Sequence, residues 1–416
     1  VSATKANRHR AALVGTGHRG LNMWGRGLLA GYGDFVDMVA LFDVNPMRAE
    51  RVRDTMRIAA PVHTEFDAMM RAQRPDLVIV CTRDADHDQY IVAALEGGAD
   101  VITEKPMATT VEKCRRIIEA ERRTGKRVDV AFNYRYSPLA RRIKELLLAG
   151  SIGAVTSVDF HWYLDTRHGA DYFRRWHAKV EHSGSLWVHK ATHHFDLLNW
   201  YLESDPAEVA AFGSLQHYGR NGAFRGERCR TCSHADTCKF YFDISKDPTL
   251  AMLYEAPSRV DGYVRDACVF REDIDIPDTM TATMRYANGV QASYSLNACM
   301  PIEGYHLAFN GTGGRMEIRQ YEDQPWVTPP ADEILLVRNF GPVERIWVAQ
   351  RPGGHFGGDD GLRDMLFKPG VADPLGQRAG ARAGAASVLC GLAALESMRT
   401  KRVVSVQEIW GGPLPD

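Results

Sequence analysis

Unbroken apolar runs alternate with amphipathic stretches along the first third of the chain. An apolar run over 10–14 enters the glycine loop GTGHRG (15–20) and the helical stretch LNMWGRGLLAGY, and a second run, VDMVALFD, ends at Asp43. PDLVIVCT (75–82), ADVITEKP (99–106) and RVDVAFN (127–133) read as further strands, separated by the helices HDQYIVAALEGG and TVEKCRRIIEAERRTG. Continuous apolar strands between amphipathic helices predict a parallel sheet covered on both faces. Ligands of such a sheet sit beyond the strand C-terminal ends, where Thr82, Glu104, Lys105 and Asn133 fall. Past a helix ending near Gly150 the period changes to two. AVTSVDFHWYL, TMTATMRY and VQASYSLNA alternate as half-buried strands, with a hairpin signal at Ala287-Asn288-Gly289, and HLAFNGTGGRMEIR adds a pair about Gly313-Gly314. AGARAGAASVLCGLAALESMRT reads as a long closing helix.

A length of 416 residues predicts two domains rather than one core. Lys plus Arg is 51 and Asp plus Glu is 52, so the net charge of -1 offers no overall field to recruit nucleic acid or a membrane. No apolar run approaches the roughly 20 residues of a membrane span. The start, VSATKANRHR, is polar and basic with no apolar segment behind it, so no secretion signal is visible, although a chain beginning at Val1 leaves a removed leader open. Eight cysteines make no disulfide scaffold, and a reducing cytoplasm is the expected location.

Strand, glycine loop and helix in that order carry the first chemistry. Gly15 permits the tight turn, Gly17 lets backbone approach a pyrophosphate, Gly20 lets helix pack on strand, and the helix N-terminus offers free N–H groups. Asp43 lies 23 residues past Gly20, where a carboxylate binds an adenosine ribose and repels a 2'-phosphate, which favours NAD over NADP; Arg48 nearby softens that preference. Lys105, between a strand end and Pro106, sits on a stiff loop where desolvation would lower its pKa toward use in proton transfer. In GSLWVHKATHHFDLLNW (184–200), His189 and His193 have the four-residue spacing of zinc ligands, but Lys190 stands where a zinc hydrolase needs its glutamate.

The GTGHRG loop, Asp43, the TRDADH segment ending at His87, EKP at 104–106, NYRYSP at 133–138 and HKATHHFD together resemble the glucose-fructose oxidoreductase, inositol dehydrogenase and MocA family, over essentially the whole chain. The resemblance implies an α/β Rossmann dinucleotide-binding domain over 1–135. It implies an α+β domain over 136–416 built on a large open, mainly antiparallel sheet, with the helix at 379–400 packing back toward the core and the sheet making a homo-oligomer. Expected cofactor contacts are Gly15, Gly17, His18, Arg19, Gly20, Asp43, Thr82, His87, Glu104, Lys105 and Asn133. Family members often carry D-x-G-x-H-x-x-D where this chain has His189, Ala191, His193 and Asp196. His193 matches the usual catalytic histidine, His189 replaces the aspartate, and Asp196 is read as structural.

Around Tyr172, Phe173 and Trp176 the chain gathers Arg167, His168, Arg174, Arg175, His177, Lys179 and His182, a mixture that suits a sugar bearing an anionic group. Substrate contacts are expected from Tyr136, Arg167, Arg174, Trp176, His177, Lys190 and His194. Cys229, Cys232 and Cys238, with Cys268 or His234 as the fourth ligand, have the spacing of a structural zinc clip, with free thiols or a disulfide as the alternatives. His355, flanked by glycines, is a loop residue that either reaches the site or marks a turn. With Lys105, His193 and His189 as the catalytic set, the surplus of histidines favours redox-neutral cleavage of an anionic glycoside, in which a ring hydroxyl is oxidised, the aglycone is eliminated, water adds and the hydride returns. A net NAD-dependent sugar or polyol dehydrogenase is the alternative. A nonenzymatic NAD or sugar sensor fits less well with Lys105 and His193 both present, and a zinc hydrolase on His189 and His193 would leave the Rossmann half without purpose.

Overall fold

A computed structural model describes residues 8–414; all but the last three residues of the VSATKANRHR segment lie outside them. The first sheet contains β1 (His9–Val14), β2 (Val36–Phe42), β3 (Val62–His63), β4 (Leu77–Val80), β5 (Asp100–Thr103) and β6 (Val128–Val130). Its order is β3-β2-β1-β4-β5-β6 and every pairing is parallel, the doubly wound arrangement whose crevice opens where the order reverses between β1 and β4. The apolar runs are what this requires: β4 is buried at all four positions because helices cover both faces.

The second sheet has nine strands: β7 (Val155–Asp165), β8 (Pro206–Ser214), β9 (Thr279–Tyr286), β10 (Gln291–Met300), β11 (Glu303–Gly311), β12 (Gly314–Asp323), β13 (Ala331–Arg338), β14 (Val343–Ala349) and β15 (Val404–Ser405). Its order is β14-β13-β12-β11-β7-β10-β9-β8-β15, antiparallel throughout except for β7 beside β10. Alternation sorts its faces: Val158, Phe160, Trp162 and Leu164 of β7 point into the core, while Asp159 and His161 face outward into a polar ladder with Ser293 and Ser295. The helix Ala191–Leu202 covers the inner face, and the helix Ala381–Thr400 crosses the helix Ser185–His189 so closely that a Cβ on Gly391 would lie 2.3 Å from the Trp187 carbonyl oxygen. Among the described residues no helix is long and apolar enough to cross a membrane.

Asp196 has the structural place the sequence suggests. Its carboxylate takes a two-pronged hydrogen bond from Arg135 (Nε 2.8 Å, Nη2 2.6 Å), and both side chains are buried. Removing one partner strands a charge, so Asp196→Ala is expected to cost about 3–5 kcal/mol in a denaturant titration. A loss within about 0.5 kcal/mol would instead place the pair among energetically neutral contacts.

Candidate active site

The crevice at the β1 and β4 ends is built around the glycine loop. Gly15 has φ +91°, and a Cβ there would meet the Cys81 carbonyl carbon at 2.6 Å, so only glycine closes this turn. Asp43, at the end of β2, is fully engaged: Oδ2 accepts from the Thr16 N–H and hydroxyl, both at 2.9 Å, and Oδ1 accepts from Asn45 N–H at 2.9 Å and Arg48 Nη1 at 3.0 Å. Arg19 spans the crevice, donating from Nε to Glu104 at 2.6 Å and from its two terminal nitrogens to Asp359 at 3.2 and 3.3 Å. Glu104 also accepts from Trp24 Nε1 at 2.8 Å. Asn133 donates to Asp359 at 2.6 Å, lies 2.9 Å from His355 Nδ1, and leaves its own buried Oδ1 without a partner. A strand–glycine loop–helix turn, a fixed carboxylate and a buried amide oxygen awaiting a donor fit a nicotinamide dinucleotide.

Beyond the ends of β4 and β5 the proton-carrying groups gather. Lys105, joined to Pro106 by a cis peptide, donates from Nζ to the His189 carbonyl oxygen at 2.9 Å. Burial, partly offset by Asp84, lowers its ammonium to about 8. His189 Nδ1 lies 2.5 Å from Asp84 Oδ2, and both side chains are buried. Burial pushes the Asp84 carboxyl up and the His189 imidazole down, so the contact holds one proton between two near-neutral groups. The His189 ring lies 4.1 Å from His177, 5.3 Å from Tyr172 and 5.9 Å from Trp176, which stacks on His177. His193 packs edge-on to Tyr134 at 4.7 Å and 5.6 Å from His355, and its buried Nδ1 has no partner. Lys190 Nζ sits 4.9 Å from the centre of the Trp162 ring, and burial lowers its pKa as it does those of His193 and His177.

Lys105, His189, His193, Lys190, Trp176, His177 and Asn133 are thus brought to one region, and His355 does reach it. Other expected residues are not. His87 is buried behind the loop, with its ring nitrogens against the carbonyl oxygens of Pro106 (2.8 Å) and Thr82 (3.3 Å), and holds the EKP segment in place rather than facing a ligand. Tyr136 is buried in the apolar cluster with Leu362 and Met365; its neighbour two residues back, Tyr134, takes the place against His193. His194 is fully buried, stacked on Trp162 and 2.7 Å from the Tyr294 hydroxyl, on the side of its helix that meets the sheet. Arg167 is exposed at the start of the helix Thr166–Arg174, an arrangement that leaves it out of the site. Arg174, at the other end, turns to the Phe240 carbonyl oxygen and Cys229 Sγ (3.2 Å). One residue on, Arg175 pairs with Asp171, one helical turn before it.

The four cysteines Cys229, Cys232, Cys238 and Cys268 line one small cavity with Phe224, Phe240 and Phe270. No three of their sulfurs lie mutually within 4.8 Å; among the described residues the donor group meeting that spacing is Asp165, His168 and Glu303, tied together by their own hydrogen bonds. Among the residues the sequence reading missed, Tyr134 and Asp359 included, Asp84 is the one that meets the proton-carrying groups. It lies in TRDADH, and an acid in a loop after a parallel strand was its one available signal.

The N-terminal region, residues 9–132, matches the family model described as oxidoreductase family, NAD-binding Rossmann fold, and residues 144–334 match the same family's C-terminal alpha/beta domain. YteT of Bacillus subtilis, which carries an oxidoreductase name, is 39% identical over 419 residues, covering 95% of this chain and 97% of its own. Inositol 2-dehydrogenase of Pseudomonas syringae is 34% identical over 334 residues, covering 76% of this chain and 90% of its own. The fold is shared with the WlbA dehydrogenase of Bordetella pertussis, solved in complex with NADH and UDP-GlcNAcA, at a TM-score of 0.65 and 18% identity over 96% of this chain and 99% of that one. With both its halves matched and the glycine loop, the EKP lysine and the His193 helix in one crevice, the chain belongs to the glucose-fructose oxidoreductase, inositol dehydrogenase and MocA family of oxidoreductases.

Proposed function

We propose that this chain exchanges a hydride with the carbinol carbon of a sugar or polyol, using NAD. The observation that carries the reading is Lys105 Nζ, lowered to about 8, lying against His189 with His193 beside the same crevice. Bound at Gly15–Gly20 and Asp43, NAD supplies the hydride acceptor. The chain's own part is to take the hydroxyl proton as the carbonyl forms, for which a neutral Lys105, lowered to about 8, has the right basicity near pH 7–8, while burial keeps His193 neutral and able to accept or relay a proton as a weaker base. NAD is favoured over NADP because Asp43 is a fixed carboxylate, and Arg48 is already paired with it and with Asp261.

A redox-neutral glycoside cleavage is the more specific reading, and the number of proton carriers favours it. One oxidation needs a single proton acceptor, whereas oxidation, elimination, water addition and reduction need several transfers; Lys105, His193 and the His189–Asp84 pair supply them. Offered aryl glycosides with NAD at a small fraction of the substrate, the protein is expected to release the aglycone over many turnovers with no net NADH. NADH accumulating without aglycone would reduce the reading to that of a net dehydrogenase. Two assignments stand apart from catalysis: a zinc clip on the four cysteines, which would have to draw their sulfurs closer together around the metal and is checked by metal content per chain, and a homo-oligomer through the polar outer face of the nine-stranded sheet, checked by light scattering.

A further inference from the structure

The segment between β8 and β9, residues 215–278, leaves the second sheet and crosses to the first domain. Its helix Pro248–Tyr254 and the turn after it lie against Asn45 and Arg48, past the end of β2, and the Tyr254 side chain reaches from there to the glycine loop. Arg48 donates to the Leu253 carbonyl oxygen at 3.2 Å and pairs with Asp261, Asn45 donates to the Pro257 carbonyl oxygen at 2.8 Å, and Ile244, Leu253 and Tyr254 join the apolar cluster of Leu21, Met23 and Trp24. Such a crossing anchors backbone beside Asp43 and holds one side chain, Tyr254, at the loop where a dinucleotide's phosphates would lie.

We propose that this segment is a strap that retains the dinucleotide, with the Tyr254 hydroxyl and the Arg265 guanidinium binding its pyrophosphate from the side opposite the glycine loop. The proposal rests on the reading of that loop as the NAD site. The Tyr254 oxygen accepts from the His18 N–H at 2.9 Å, and a Cβ on Gly17 would lie 3.2 Å from it. Because that oxygen is already an acceptor and finds no acceptor for its own proton among the described residues, the proton is left to donate to a phosphate. Arg265 is buried, stands 5.8 Å from the Tyr254 ring centre, and its Nε has no partner.

Charge balance points the same way. Arg265 (2.5 and 3.2 Å) and Arg175 (3.0 Å) share the single carboxylate of Asp171, which leaves one positive charge over, and the Arg175 Nε is also buried without a partner. Burial first, then these two arginines, hold the His18 imidazole below its ordinary value against the opposing pull of Asp247 and Asp171, so the arginine charge is felt at the glycine loop. The cations that the sequence suggests for an anionic sugar therefore have an anion nearer to hand, the pyrophosphate itself.

Tyr254→Phe removes one oxygen and tests the strap on the full chain. Calorimetric affinities of the wild type and the variant would be compared for NAD, for ADP-ribose, which keeps the pyrophosphate, and for adenosine, which lacks it. The variant is expected to bind NAD and ADP-ribose about ten- to a hundredfold more weakly, the worth of one hydrogen bond to a charged group, and to release NAD correspondingly faster. Adenosine should change by less than about twofold, and the melting temperature without ligand should fall by no more than a few degrees, since a single hydrogen bond to the His18 N–H is lost and the ring stays packed. Unchanged ADP-ribose affinity, or an equal loss for adenosine, would overturn the strap while leaving the NAD reading intact. A wild-type protein that binds neither NAD nor NADP would overturn both.

Discussion

Lys105→Met is expected to lower kcat by about a thousandfold while the protein still binds NAD, since general base catalysis contributes about 10²–10⁴. Methionine keeps the length and apolar stem of lysine, so the loop between β5 and Met107 should keep its shape. What is lost is an amine whose ammonium form burial disfavours, lowering it from 10.5 to about 8. The sign of the pH dependence follows. The neutral amine takes the hydroxyl proton, so kcat/KM should fall about tenfold per pH unit below about 8 and level off above it. Lys105→Arg, which stays protonated across that range, should be as inactive as the methionine variant. A lysine variant that keeps more than about a tenth of wild-type turnover, or a wild-type profile flat from pH 6 to 9, would move the base to His193.

The parallel half was legible because its signals are local. A covered strand is apolar at every position, and the glycine loop, Asp43 and EKP each lie at a strand end, so the pattern that predicts the strands also places Gly15, Asp43 and Lys105 at the crevice. The second sheet was legible by its period of two. Its substrate-side residues were less so, because a cation in a mixed run tells nothing about which way a helix turns it. Arg174 and Arg175 are adjacent in sequence, but a step of about 100° per residue sends one to the cysteine-lined cavity and the other to Asp171. His194 failed for the same reason, facing the sheet beside a His193 that faces the crevice. Contacts between distant segments left no trace in the pattern: Asp84 meets His189 across 105 residues, and Tyr254 meets His18 across 236.

Asp84→Asn and His189→Ala should each lower kcat by about 10²–10³, and the double variant should be no worse than the poorer single, as expected of groups that act as a unit. The family resemblance makes His189 look like a lost carboxylate, but the geometry restores one from another strand end, with Asp84 Oδ2 2.5 Å from Nδ1. A carboxylate there keeps the remaining imidazole proton on Nδ1 when the pair has lost its shared proton, leaving Nε2 as an acceptor. Asparagine reverses this. Its amide N–H donates to Nδ1, which drives the ring proton to Nε2 and removes the acceptor without disturbing the packing of His177 and Tyr172 around the ring. The tautomer argument also predicts that His189→Asp fails to recover the family's usual arrangement: it would set two buried carboxylates against each other, raising the proton affinity of both. The double-mutant cycle decides the matter. If the two single losses simply multiply, Asp84 and His189 act separately and the dyad does not exist as a functional unit.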